Sequence, residues 1–92
     1  MLEKTIEQKF VSSVRRTGGW AIKLLSPSMA GLPDRIVLFP DGKCGFVELK
    51  ASGEKMRPLQ LRQAERLEKL GFKVLCIDDA AQIDGVIEKL LE

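Results

Sequence analysis

Acidic side chains at Glu7, Asp34 and Glu48, with a lysine at Lys50, interrupt segments that are otherwise apolar. A buried charge costs on the order of several kcal/mol unless a partner or a metal offsets it, so such interruptions are informative. On a helix advancing about 100° per residue, Glu7 falls about 20° from Val14, between Phe10 and Val11, and directs its carboxylate toward the core. The alternative is a glutamate at the edge of the stripe, paired with a lysine or flexing into water. Along Cys44–Lys50 the side chains alternate, placing Cys44, Phe46, Glu48 and Lys50 on one face and Val47 and Leu49 on the other. Asp34 follows Pro33 at the start of the preceding strand, and Pro40-Asp41-Gly42-Lys43 has the composition of a hairpin turn. That turn brings Asp34 beside Glu48 and Lys50 at one end of a sheet. Taken singly, Glu48 and Lys50 read as an exposed edge pair and Asp34 as a turn or strand-start residue. Their convergence points to a site.

Clustered carboxylates stay ionised in a half-buried site only with a cation among them. Asp34 and Glu48, with Glu7 nearby, suit an oxygen cage for Mg²⁺ or Mn²⁺, and the Leu49 carbonyl is a further candidate ligand. Such an ion polarises a phosphoryl oxygen and lowers the pKa of a bound water, which is the chemistry of phosphodiester hydrolysis. Lys50 then has three open roles: orienting the attacking water, deprotonating it, or stabilising charge in the transition state. Gln60 and Gln63 share a helix face with Ala64 and Leu67, and Gln60, at the helix entrance after Arg57-Pro58-Leu59, is the better placed to reach the strand ends. Arg15, Arg16, Lys23, Lys55, Arg57, Arg62 and Arg66 are candidate phosphate contacts, with Lys55 and Arg57 foremost, or else form a solvated face.

The chain contains no histidine and no tyrosine. Serine or cysteine triads that use histidine, and histidine-ligated zinc, are therefore excluded. Cys44 and Cys76 lack the spacing of a zinc or redox motif and read as reduced core thiols. A net charge of +2 is too small to identify a partner. No apolar run approaches the roughly 18 residues of a membrane span, and the alternating charges of Met1-Leu2-Glu3-Lys4 do not resemble a secretory signal, so a cytoplasmic location is expected.

The elements that must position these residues follow from periodicity. Ninety-two residues support one core, hence one domain spanning 1–92. Leu2, Ile6, Phe10, Val11 and Val14 predict a helix from Leu2 to about Arg16, ended by Thr17-Gly18-Gly19. Strands are predicted at Trp20–Leu25, Asp34–Phe39, Cys44–Lys50 and Lys73–Ile77, with loops at Ser26–Pro33 and Ala51–Pro58. A second helix is predicted from about Leu59 to Leu70 before Gly71, and a third begins at Asp79, which forms a capping-box spacing with Gln82. Ile83, Val86, Ile87, Leu90 and Leu91 form the third helix's buried stripe. The result is an α/β fold with a mixed sheet flanked by helices. Trp20 is expected in the core, and Met29, Leu32 and Met56, the exposed apolar candidates, are too few to define an interface.

The ordered set Gly31-Leu32-Pro33-Asp34-Arg35-Ile36, then Glu48-Leu49-Lys50, then Gln60 at a helix start resembles the VRR-NUC family of virus-type replication-repair nucleases, within the PD-(D/E)xK nuclease superfamily. The resemblance spans nearly the whole chain, including the leading helix with Glu7, and Lys23 before the loop. It implies a restriction-endonuclease-like αβββαβα core, dependence on Mg²⁺ or Mn²⁺, and hydrolysis of DNA. It further implies that Glu7, Asp34 and Glu48 serve as metal-site acids, Lys50 as the catalytic lysine and Gln60 as the helix glutamine, with Lys23 at a basic position before the loop. Stand-alone members, of phage and bacterial type, imply a homodimer acting on branched DNA such as Holliday junctions in repair, recombination or replication. The competing readings are a non-catalytic DNA-binding module of the same fold and a metal-independent structural subunit.

Overall fold

Ile6, Phe10 and Val14 lie one helical turn apart on α1 (Glu3–Arg16), and all three are fully buried. They pack on a sheet of β1 (Trp20–Lys23), β2 (Arg35–Leu38), β3 (Cys44–Leu49) and β4 (Val74–Ile77), as described by a computed structural model of residues 1–92. Between β3 and β4 runs α2 (Pro58–Lys69), and α3 (Ile83–Leu91) follows β4. The strands lie in the order β1-β2-β3-β4, antiparallel across the first two pairs and parallel between β3 and β4. The crossover through α2 is what makes that last pair parallel. This is the αβββαβα order and mixed sheet that the sequence predicts.

Alternation gives the sheet two different faces. Ala21, Val37, Val47, Leu49 and Ile77 join the α1 stripe and Ile83, Val86, Ile87 and Leu90 of α3 in one buried cluster. Gly45 belongs to this face, and a Cβ there would collide with Leu90. The opposite face carries Trp20, Ile22, Ile36, Leu38 and Phe46, aligned in register across β1, β2 and β3. On that side Phe46 meets Phe72 edge to face, with ring centroids 5.7 Å apart.

Trp20 is not in the core: 67% of it is exposed. It starts an edge strand on the face that α1 and α3 leave open, and its neighbour Ala21 is the residue that turns inward. Leu38 and Phe72, near the same face, are also partly exposed, so the apolar surface is larger than Met29, Leu32 and Met56 suggest.

The β2–β3 turn places both Asp41 and Gly42 at positive φ, 66° and 75°. Two consecutive left-handed residues match the twist of a tight hairpin, so the aspartate shares the conformation expected of the glycine alone. Beyond β4, Asp79 accepts from the Ala81 N–H and caps a 3-10 turn, Ala80–Gln82, rather than opening α3 directly. Gln82 pairs with Asp78, one residue before the predicted cap, through both its amide oxygen and its amide nitrogen. Lys43 and Lys73 donate to carbonyls at the α3 C-terminus, where cations are favoured. No helix is long and apolar enough to cross a membrane.

Candidate active site

β2 and β3 are joined at their site ends by a reciprocal pair of hydrogen bonds. The backbone N–H of Asp34 donates to Glu48 Oε1 at 3.0 Å, and the backbone N–H of Leu49 donates to Asp34 Oδ2 at 3.1 Å. Each acid therefore accepts from the other strand, and the two carboxylates are held side by side where the ladder ends. Glu48 is only 2% exposed, so it is a buried acid rather than an edge residue. Its second oxygen, Oε2, accepts from Gln60 Nε2 at 2.6 Å and lies 3.4 Å from Lys50 Nζ. Asp34, Glu48, Lys50 and Gln60 are thus gathered at one place by three elements.

Gln60 reaches that place because of how α2 begins. Pro58 occupies the first turn, where its missing N–H costs nothing, and Gln60 Oε1 accepts from the Arg57 N–H at 2.8 Å. One amide caps the helix with its oxygen and holds Glu48 with its nitrogen. Gln63, the other inward amide, instead donates to the Ala30 carbonyl at 3.1 Å and ties the β1–β2 loop to α2.

Glu7 is engaged elsewhere. Arg35 donates to Glu7 Oε2 from Nε at 3.3 Å and from Nη2 at 3.0 Å, and its Nη1 donates to the Ala21 carbonyl at 3.1 Å. No group of three acids stands close enough to hold an ion by itself. Arg35 is the residue that sequence reasoning passes over. The signal for it was a lone cation opening an apolar strand, on the face toward which the Glu7 stripe points. Lys23 lies opposite Arg35 in the β1–β2 register and is exposed, as are Lys55 and Arg57 in the segment leading to α2.

The electrostatics are those of a crowded acid pair. Burial, and after it the Asp34 carboxylate, push the Glu48 carboxyl above the usual range, against the pull of Lys50 and of the Asp34 N–H. Cys76, opposite Glu48 in the β3–β4 register, is a free, half-buried thiol raised by burial and then by the Glu48 charge, which keeps it neutral. The donor set fits a hard divalent cation. Asp34 Oδ1 accepts nothing from the protein and, since no buried polar atom lacks a partner, it faces solvent. The Leu49 N–H points at Asp34, and in an extended strand the carbonyl of the same residue points to the same edge. Two carboxylates and a carbonyl converge on one edge, and the Glu48 charge, disfavoured by burial and by its neighbour Asp34, is one that Mg²⁺ or Mn²⁺ would stabilise.

No protein-family model matches the chain. A protein named "Putative nuclease p44", from Acyrthosiphon pisum secondary endosymbiont phage 1, is 51% identical over 76 residues, covering 83% of this chain and 82% of that protein. A solved structure described as a VRR_NUC domain superimposes with a TM-score of 0.86 at 33% identity, covering 94% of each chain. The fold and the sequence relationship agree: the chain belongs to the VRR-NUC family of nucleases.

Proposed function

We propose that the chain, acting over residues 1–92 as one domain, is a divalent-metal-dependent DNA endonuclease. The observation that carries this reading is the network in which Asp34 and Glu48 exchange backbone hydrogen bonds while Gln60 and Lys50 converge on Glu48 Oε2. Asp34, Glu48 and the Leu49 carbonyl would hold the ion, which supplies polarisation of the phosphoryl oxygen and a lowered pKa for the attacking water. Lys50, fixed by its ion pair, is placed to orient that water or to meet charge building on the scissile phosphate. Gln60 holds Glu48 in place. Glu7 keeps Oε1 free while Oε2 takes both guanidinium bonds, and because it forms no three-acid cluster with Asp34 and Glu48 it would serve the metal site through a bridging water. Lys23, Lys55 and Arg57, all exposed, would meet DNA phosphates.

The preferred substrate in this reading is branched DNA such as a Holliday junction, cut by a homodimer in repair, recombination or replication. Support for a dimer comes from the open sheet face, where Trp20, opposite Leu38 on the neighbouring strand, is 67% exposed. An exposed apolar sheet face suits two-fold packing of one copy on another. The alternative is a DNA-binding module that does not cut. A retired site has no reason to keep a buried glutamate beside an aspartate at a cost in stability, and this one does.

The test is cleavage of a labelled four-way junction and of a plain duplex with Mg²⁺. Paired symmetric nicks in the junction support the dimeric reading, and binding without cleavage supports the alternative.

A further inference from the structure

The loop leaving β1 starts directly beside the site, since the Leu24 N–H donates to the Asp34 carbonyl at 2.7 Å. It is then fastened to the first turns of α2. Gln63 holds the Ala30 carbonyl, and Gly31, at φ 85°, packs so closely that a Cβ would stand 2.7 Å from Leu59 Cγ. Three large apolar side chains stand on this rim: Leu25 is 76% exposed, Met29 44% and Leu59 40%. Exposed cations accompany them on the same elements: Lys23 on β1, Arg57 at the α2 cap and Arg62 on α2.

Single exposed leucines are ordinary. Here, however, Leu25 and Met29 belong to a loop bonded at one end to the Asp34 carbonyl and at the other to α2, the helix that carries Gln60 and Leu59, and the charges beside them are complementary to a phosphate backbone. Neither the loop nor α2 contains an aromatic residue, so the rim offers no stacking platform for bases. Unbranched and γ-branched apolar side chains instead act on DNA by entering a base step and splitting it.

We propose that Leu25 and Met29, backed by Leu59, form a wedge that enters a base step opened at a branch point, while Lys23, Arg57 and Arg62 hold the flanking phosphates. The inference rests on the reading of the chain as a DNA nuclease and gives that site a physical basis for preferring distorted DNA. Opening a step is cheapest where stacking is already interrupted, so a wedge converts a local weakness in the duplex into binding preference.

The experiment uses a four-way junction carrying 2-aminopurine at the branch point and a duplex of the same composition, with Ca²⁺ in place of Mg²⁺ so that binding is read apart from cutting. The wild-type chain should raise the fluorescence of the junction and bind it roughly tenfold more tightly than the duplex, the part of the gain from burying two apolar side chains that is left after the cost of opening a base step. The double variant Leu25→Ser/Met29→Ser should lose both the fluorescence rise and the preference, with duplex affinity changed less than about twofold. Leu25→Met/Met29→Leu should restore both, which separates a wedge from a folding defect. Arg57→Ala/Arg62→Ala should weaken junction and duplex alike and flatten the salt dependence. Retention of the fluorescence rise by the serine variant, or an equal loss of affinity for both DNAs, would overturn the wedge, as would failure of the wild type to bind either DNA. A wild type that opens the junction but never cuts it with Mg²⁺ would overturn the nuclease reading and leave the wedge standing.

Discussion

Gln60 Nε2 lies 2.6 Å from Glu48 Oε2 while Gln60 Oε1 accepts from the Arg57 N–H at 2.8 Å, so a single side chain joins β3 to the start of α2. Gln60→Ala removes a helix cap and a bond to a buried charge together. The expected cost is about 2 kcal/mol of stability, read by urea unfolding, with nuclease activity at least tenfold lower. Gln60→Glu keeps the cap acceptor but sets a second negative charge against Glu48, and should lose activity while raising the metal concentration needed for half-maximal rate.

The raised Glu48 carboxyl makes metal-free stability depend on pH. Because the folded state holds this proton more tightly than the unfolded chain, its stabilising contribution is fully present below the ordinary value of 4.5 and is lost as pH rises through the folded value. In EDTA the melting temperature should carry this fall as pH rises above about 4.5, and saturating Mg²⁺ should remove it, since the ion favours the charged form. A melting temperature with the same pH dependence in both conditions would contradict the assignment of Glu48 to the metal.

Arg35 and Glu7 bond across 28 residues, with side chains 16% and 24% exposed. Removing the arginine leaves a mostly buried carboxylate unpaired, so Arg35→Met should cost about 2 kcal/mol, less than for a fully dry pair. Glu7→Gln/Arg35→Met should cost less than the sum of the single changes, and a thermal-melting double-mutant cycle measures that coupling.

Much of this site could be read in the sequence, for a physical reason. Asp34, Glu48 and Lys50 are brought together by one hairpin and the period-two alternation of a strand, both of which are local. Gln60 was legible because an inward-facing amide at a helix entrance, just after Arg57-Pro58-Leu59, can reach the strand ends; that its oxygen also caps the helix was not. The partner of Glu7 was not, since the ion pair joins an element to one 28 residues later and depends on how α1 lies on the sheet. Trp20 was misplaced for a related reason: alternation says which residues share a face, but not which face the helices cover.

Trp20 is the chain's one tryptophan, so the open face carries its own reporter. If that face joins two copies, the emission maximum should move to the blue as protein concentration rises, and Trp20→Lys should yield a monomer by sedimentation without loss of fold. Emission independent of concentration, with a wild-type monomer throughout, would contradict the dimer.

The most direct test of the account is cleavage of end-labelled DNA by the wild type and by Lys50→Ala, each with Mg²⁺, Mn²⁺ or EDTA. Cutting by the wild type with either ion, none in EDTA, and a loss of at least a hundredfold in the variant with DNA still bound is the predicted result. Undiminished cutting in EDTA, or a Lys50→Ala chain as active as the wild type, would contradict it.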